Sequence, residues 1–164
     1  MAPLNIDLHH INKTDSLGEK SGYWCETSND MIWLCFYEDG EKNGPAQYYR
    51  KLSNGQYFLQ SFGFYQHNIP AYQWQFFYNN GMIATLQTKI SKNHEFLNEA
   101  ERAGFYNPQS TFQCYIINYD ISGKITSEGW CIFQNDIEED AQEVGIWKYF
   151  TPHGMCSKNK SLEY

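Results

Sequence analysis

The chain has 164 residues, a formal net charge of −7 and 13 Tyr, 11 Phe and 5 Trp. A chain of this length fits one domain able to bury about 70% of its unfolded surface, so it needs neither metal nor disulfide to fold. The acidic balance argues against nucleic-acid binding, whose footprint is a basic patch; Lys89 to Lys92 and Lys158 to Lys160 are too sparse to make one. The most acidic run, Glu138, Glu139 and Asp140, reads as a solvated turn.

In chain order, residues 1–17 read as a loose N-terminal segment of a single domain spanning 1–164. Met1 to His10 has no basic n-region or apolar h-region. Placement in the cytoplasm is the expectation; an exported form whose signal has been removed is the alternative. No apolar stretch approaches the ~20 residues of a membrane span. The adjacent pair His9-His10 would point to opposite faces of a strand and is read as terminal, not as a metal site.

The body of the chain repeats itself. Five segments end on a glycine: Trp33 to Gly40, Tyr48 to Gly55, Trp74 to Gly81, Ile116 to Gly123 and Trp147 to Gly154. Seven residues before the glycine stand Trp33, Tyr48, Trp74, Ile116 and Trp147, four of them aromatic. Each segment reads as a strand running into a tight turn. Asp39-Gly40, Asn54-Gly55 and Asn80-Gly81 are the pairs that type I′ turns favour, because both central residues need positive φ. Period-2 alternation puts Tyr72, Trp74, Phe76 and Tyr78 on one face. A second glycine precedes an aromatic in Gly22-Tyr-Trp24, Gly129-Trp130 and Gly145-Ile-Trp147. Glycine beside a strand marks a bulge or a close approach, here room for a ring of the neighbouring hairpin. Between Gly81 and Gly123 one helix is expected over 93–104, with Phe96, Leu97, Ala100 and Ala103 near one face and Gly104 as its C-cap.

The predicted fold is therefore mainly all-β: successive antiparallel hairpins forming an extended or curled meander sheet, with one short helix inserted. Trp33, Trp74, Trp130 and Trp147, with Gly40, Gly55, Gly81, Gly123 and Gly154, are the structural repeat positions. The segments Gly44 to Gly55, Tyr72 to Gly81 and Gly129 to Gly154, the last including Gly145-Ile-Trp-Lys-Tyr-Phe150, resemble MORN repeats. They are most similar to the bacterial MORN-variant proteins regarded as antitoxin components. That resemblance implies a sheet of hairpins and a role in protein–protein contact. Unequal spacing and the helical insert depart from a regular MORN array.

Chemistry is harder to find. The five cysteines, Cys25, Cys35, Cys114, Cys131 and Cys156, are odd in number and never spaced C-x-x-C. This argues against a disulfide framework and a zinc knuckle, and for a reducing compartment. No nucleophile elbow, metalloprotease helix, phosphate loop or dinucleotide fingerprint occurs. His153 sits in a turn dipeptide, and His67 and His94 have no matching ligand at helix or hairpin spacing. Glu26, Asp30, Glu38 and Asp39 are the one carboxylate set that could serve a glycosidase-like site.

The expectation is a non-enzymatic protein-binding module with no cofactor and no metal, and a homodimer through sheet edges is compatible with it. Its binding face is sought on Tyr48, Tyr49, Tyr57, Tyr65, Tyr72 and Tyr78, since exposed aromatic patches mark interfaces. Carbohydrate or other small-molecule binding on the aromatic face is the alternative.

Overall fold

The computed structural model describes residues 11–134, 141–151 and 153–159. His9, His10 and the acidic run Glu138 to Asp140 lie outside the described residues. The fold is mainly β, as the hairpin pattern predicts. The chain divides into two compact units, Met1–Ala71 and Tyr72–Tyr164.

In the first unit β1 (Lys13–Thr14), β2 (Lys20–Thr27), β3 (Met31–Glu38), β4 (Glu41–Lys51) and β5 (Tyr57–Gln66) pair antiparallel in chain order. Residues 11–17 are tied to this sheet. Asn12 holds Cys25 by two side-chain hydrogen bonds, donating from Nδ2 to the Cys25 carbonyl and accepting from its N–H. The Trp24 indole also donates to the Lys13 carbonyl at 2.9 Å.

β6 (Ile69–Phe77) carries the chain into the second unit. There it pairs with β7 (Ile83–Lys92), which is followed in the same antiparallel order by β8 (Phe112–Tyr119), β9 (Ile125–Phe133), β10 (Gln142–Thr151) and β11 (Gly154–Asn159). Between β7 and β8 lie α1 (Leu97–Arg102) and a 3-10 turn at Pro108–Ser110.

The first four glycine-anchored segments are strands running into turns, and those turns are of two kinds. Asp39 and Gly40 have φ of 49° and 75°, the double positive φ of a type I′ turn. At Gly55, Gly81 and Gly123 only the glycine has positive φ. Leu52 to Gln56, Tyr78 to Met82 and Asp120 to Lys124 share one hydrogen-bond pattern, in which the first residue's N–H reaches the fifth carbonyl and the glycine N–H returns to the first carbonyl. This is a type I turn closed by a left-handed glycine, a three-residue hairpin loop. Asp15 to Glu19 repeats it outside the five glycine-anchored segments. The type I′ expectation for Asn54-Gly55 and Asn80-Gly81 is thus corrected: each asparagine instead accepts a backbone N–H two residues on.

α1 is shorter than the predicted 93–104. Asn93, only 3% exposed, stands before it and accepts the Phe96 N–H at 2.9 Å. The helix closes as expected on Gly104, with Gly104 N–H bonded to Glu101 O and Phe105 N–H to Ala100 O, a Schellman motif.

The second unit has an apolar cluster on each face of β9–β10. One holds Cys114, Ile116, Cys131, Phe133 and Trp147, with Phe76, Phe112 and Tyr149 packed against it. The other seats Ala100 of α1 on Ile132 and Val144, flanked by Phe96 and Trp130. Trp74 and Trp147 are 4% and 1% exposed. The glycine-under-ring expectation holds at Gly129: a Cβ built there would stand 2.4 Å from the Trp147 ring. Trp147 keeps its indole N–H satisfied by donating to the Trp130 carbonyl at 2.8 Å. In the first unit Gly44 plays the same part under Phe36, at 3.0 Å. Gly22 has open space and Gly145 only an ordinary contact with Phe96, so those two glycines serve backbone conformation alone.

Candidate functional site

The six candidate tyrosines do not share one face. In the first unit Tyr48 and Tyr65 come together, their hydroxyls 3.0 Å apart, and the Cys35 thiol donates to Tyr48 Oη at 3.8 Å. Burial, followed by the neighbouring Tyr65, raises the Tyr48 phenol far above its ordinary range. Burial likewise raises the Cys35 thiol. Tyr49 points the other way, as the next residue on a strand must, and donates to Gln47 Oε1 at 2.9 Å. Tyr57 is 40% exposed at the start of β5, opposite Lys51.

In the second unit Tyr78 donates to the Tyr119 carbonyl at 2.7 Å, bracing two neighbouring turns rather than offering a contact surface. Tyr72 is 66% exposed and has φ of 60°. A bulky side chain in the left-handed region is a backbone outlier. Of the repeat tryptophans, Trp33 and Trp130 are half-buried. Gly154 has φ of 121° and sits opposite Thr151 in the last hairpin.

The carboxylates Glu26, Asp30, Glu38 and Asp39 do not converge. Glu26 is bonded to Lys20, and Glu38 accepts from Asn43 at 2.6 Å. Asp30 and Asp39 lie beyond opposite ends of β3, which alone is about 25 Å long at the usual rise per residue, against the roughly 5–10 Å of a glycosidase pair. Among the described residues no group of three or more His, Cys, Asp or Glu is placed to hold a metal ion. No helix among them is long and apolar enough to cross a membrane.

Two features of the second unit went unseen in the sequence. The first is a bulge in β7: the register shifts between Thr88 and Ser91, and Lys89 has φ of 54°. The bulge re-aims Lys89 so that its ammonium stands 5.4 Å from the Tyr115 ring and 5.6 Å from the Trp130 ring. Tyr115 meets Trp130 edge to face at 5.5 Å. Beside them Lys148 bonds Glu128 at 2.8 Å, which raises the lysine. Burial first, then Glu128, raises the Tyr115 phenol.

The second feature is a row of apolar side chains at hairpin tips. Alternate turns of a meander fall at the same end of the sheet, so the turns β6–β7, β8–β9 and β10–β11 line one end. They expose Met82 by 41%, Ile121 by 61%, Ile125 by 38% and Met155 by 58%. The Met82 methyl lies 3.1 Å from where a Gly123 Cβ would be, so the first two tips touch.

The described residues thus form a mainly β protein of successive antiparallel hairpins that presents side chains at its hairpin tips and on its strand faces. Compared with known proteins, the chain matches no protein family and no curated protein.

Proposed function

We propose that this chain is a non-enzymatic protein-binding module of MORN-like hairpins that works in a reducing, cytoplasmic setting. Antitoxin-like capture of a partner protein is its most specific form. The observation that carries this reading is the apolar tip row of Met82, Ile121, Ile125 and Met155. Turns ordinarily carry polar residues, and grouped exposed apolar side chains mark contact surfaces. The hydrogen-bonded turns beneath Met82 and Ile121 fix the backbone that carries them, which limits the loop ordering needed on binding.

Capture from native lysate with the purified chain tests this. One partner should be retained in stoichiometric amount, and Met82→Asp with Ile121→Asp should abolish retention without changing the melting temperature. Retention that survives the double variant removes the tip row from the account.

A second reading, small-molecule binding on the aromatic face, is favoured by Lys89 over Tyr115 and Trp130. A half-buried indole beside a lysine and a Glu–Lys pair suits a sugar or an aromatic acid. Under that reading no protein is retained, and tryptophan emission shifts on adding a sugar panel and is insensitive to the tip variants.

A further inference from the structure

Cys114 and Cys131 stand directly opposite each other on β8 and β9. Side chains of directly paired antiparallel residues share a face, and their Cα atoms lie about 4.5–5.5 Å apart. A disulfide needs about 4.4–6.8 Å. Both are thiols, 0% and 3% exposed, and both belong to the cluster beneath Trp147. No other cysteines among the described residues are paired this way. Cys25 faces Leu34, Cys35 faces Trp24 and Ala46, and Cys156 faces Tyr149.

We propose that Cys114 and Cys131 form a latent cross-strand disulfide that closes under a peroxide oxidant and staples β8 to β9. In the first step one cysteine sulfur attacks the peroxide, breaking the O–O bond; the sulfur becomes a sulfenic acid and water leaves. In the second step the other sulfur attacks the sulfenic sulfur, forming the S–S bond and releasing a second water. Two thiol protons and two electrons pass to the peroxide in all.

Burial sets the rate. It pushes the Cys114 thiol up to about 12, so little thiolate is present in the closed sheet, and the staple closes slowly, through brief opening of the β8–β9 region. The device therefore registers sustained oxidation and ignores transient pulses. Once closed, it restrains the unfolded chain and stabilises the second unit.

The experiment uses the full chain carrying Cys156→Ser, which removes the exposed thiol and with it intermolecular cross-linking. The folded, reduced protein is held in hydrogen peroxide, alkylated, digested and mapped by mass spectrometry. The expected product joins the Cys114 and Cys131 peptides, is lighter by two hydrogens, and is reopened by dithiothreitol. The oxidised chain should unfold at higher urea than the reduced one. The proposal is overturned if both cysteines stay alkylatable after prolonged oxidation, or proceed to sulfinic acid without linking. It is also overturned if the link forms only when the chain is unfolded in urea.

Discussion

Two glycines lie under aromatic rings, one in each unit, and they are required for different reasons. At Gly129 the backbone is ordinary and only space is at stake: three residues, Gly145 to Trp147, bulge opposite it, and the Trp147 ring occupies the place of a Cβ. At Gly44 the arrangement is reversed. The ring comes from the single residue Phe36, while the glycine sits inside the bulged arm between Lys42 and Ala46 and has φ of 144°. The same three-against-one irregularity therefore yields a glycine needed for room in one unit and a glycine needed for both room and backbone conformation in the other. The burial differs too: Trp147 is 1% exposed with its N–H satisfied, whereas Phe36 is half-buried and packs edge to face on Tyr23 at 5.2 Å.

The largest effect should follow from emptying the indole site. Trp147→Ala should destabilise the second unit by about 3–5 kcal/mol, read from the urea midpoint. Gly129→Ala should cost about 1–3 kcal/mol by overpacking, and combining it with Trp147→Ala should remove most of that extra cost. Gly44→Ala should cost a similar amount, about 1–3 kcal/mol, but adding Phe36→Ala should rescue it only in part, because the backbone strain stays. Equal rescue at both sites would erase the distinction.

A more local effect is expected where the helix joins the second unit. Asn93→Ala should cost about 1–3 kcal/mol, because it leaves the buried Thr111 hydroxyl without its Asn93 donor and the Phe96 N–H without its acceptor. Hydrogen exchange should show the loss confined to α1 and its flanks.

The smallest effect concerns the Asp120 turn. Bonds from Ser122 and the Lys124 backbone hold this exposed carboxyl below its usual range. A depressed folded-state value means the contribution is fully present above the ordinary carboxylate pKa and is lost as pH falls through the folded one. Urea midpoints of Asp120→Ala and the parent chain should differ at neutral pH and converge in acid.

Strand identity and turn position were legible because an aromatic run ending in Asn-Gly, Asp-Gly or Ser-Gly is a local signal. Turn type was less so: Asn54 and Asn80 suit a type I′ turn, yet each side chain found a better partner two residues on. The turn at His67-Asn68 has φ of 50° and 64° but no glycine, so nothing local announced it. It is held instead by Lys42, whose N–H donates to Asn68 Oδ1, and by Glu41, which meets His67 at 2.8 Å. The Lys89 bulge and the Asn93–Thr111 bond are products of strand pairing across long separations and leave no sequence pattern. The tyrosine face was illegible for a simpler reason. Adjacent Tyr48 and Tyr49 fall on opposite sides, and hydroxyl partners take up Tyr48, Tyr49 and Tyr78 internally.

Rings that close over glycine backbone hold these hairpins together, and Trp147 reports on that packing most directly. Indole N–H exchange followed by NMR in heavy water should find the Trp147 proton among the slowest, exchanging only as the second unit unfolds. If that proton exchanges as fast as an exposed indole, the ring does not lie on Gly129 and the hairpins are not closed in this way.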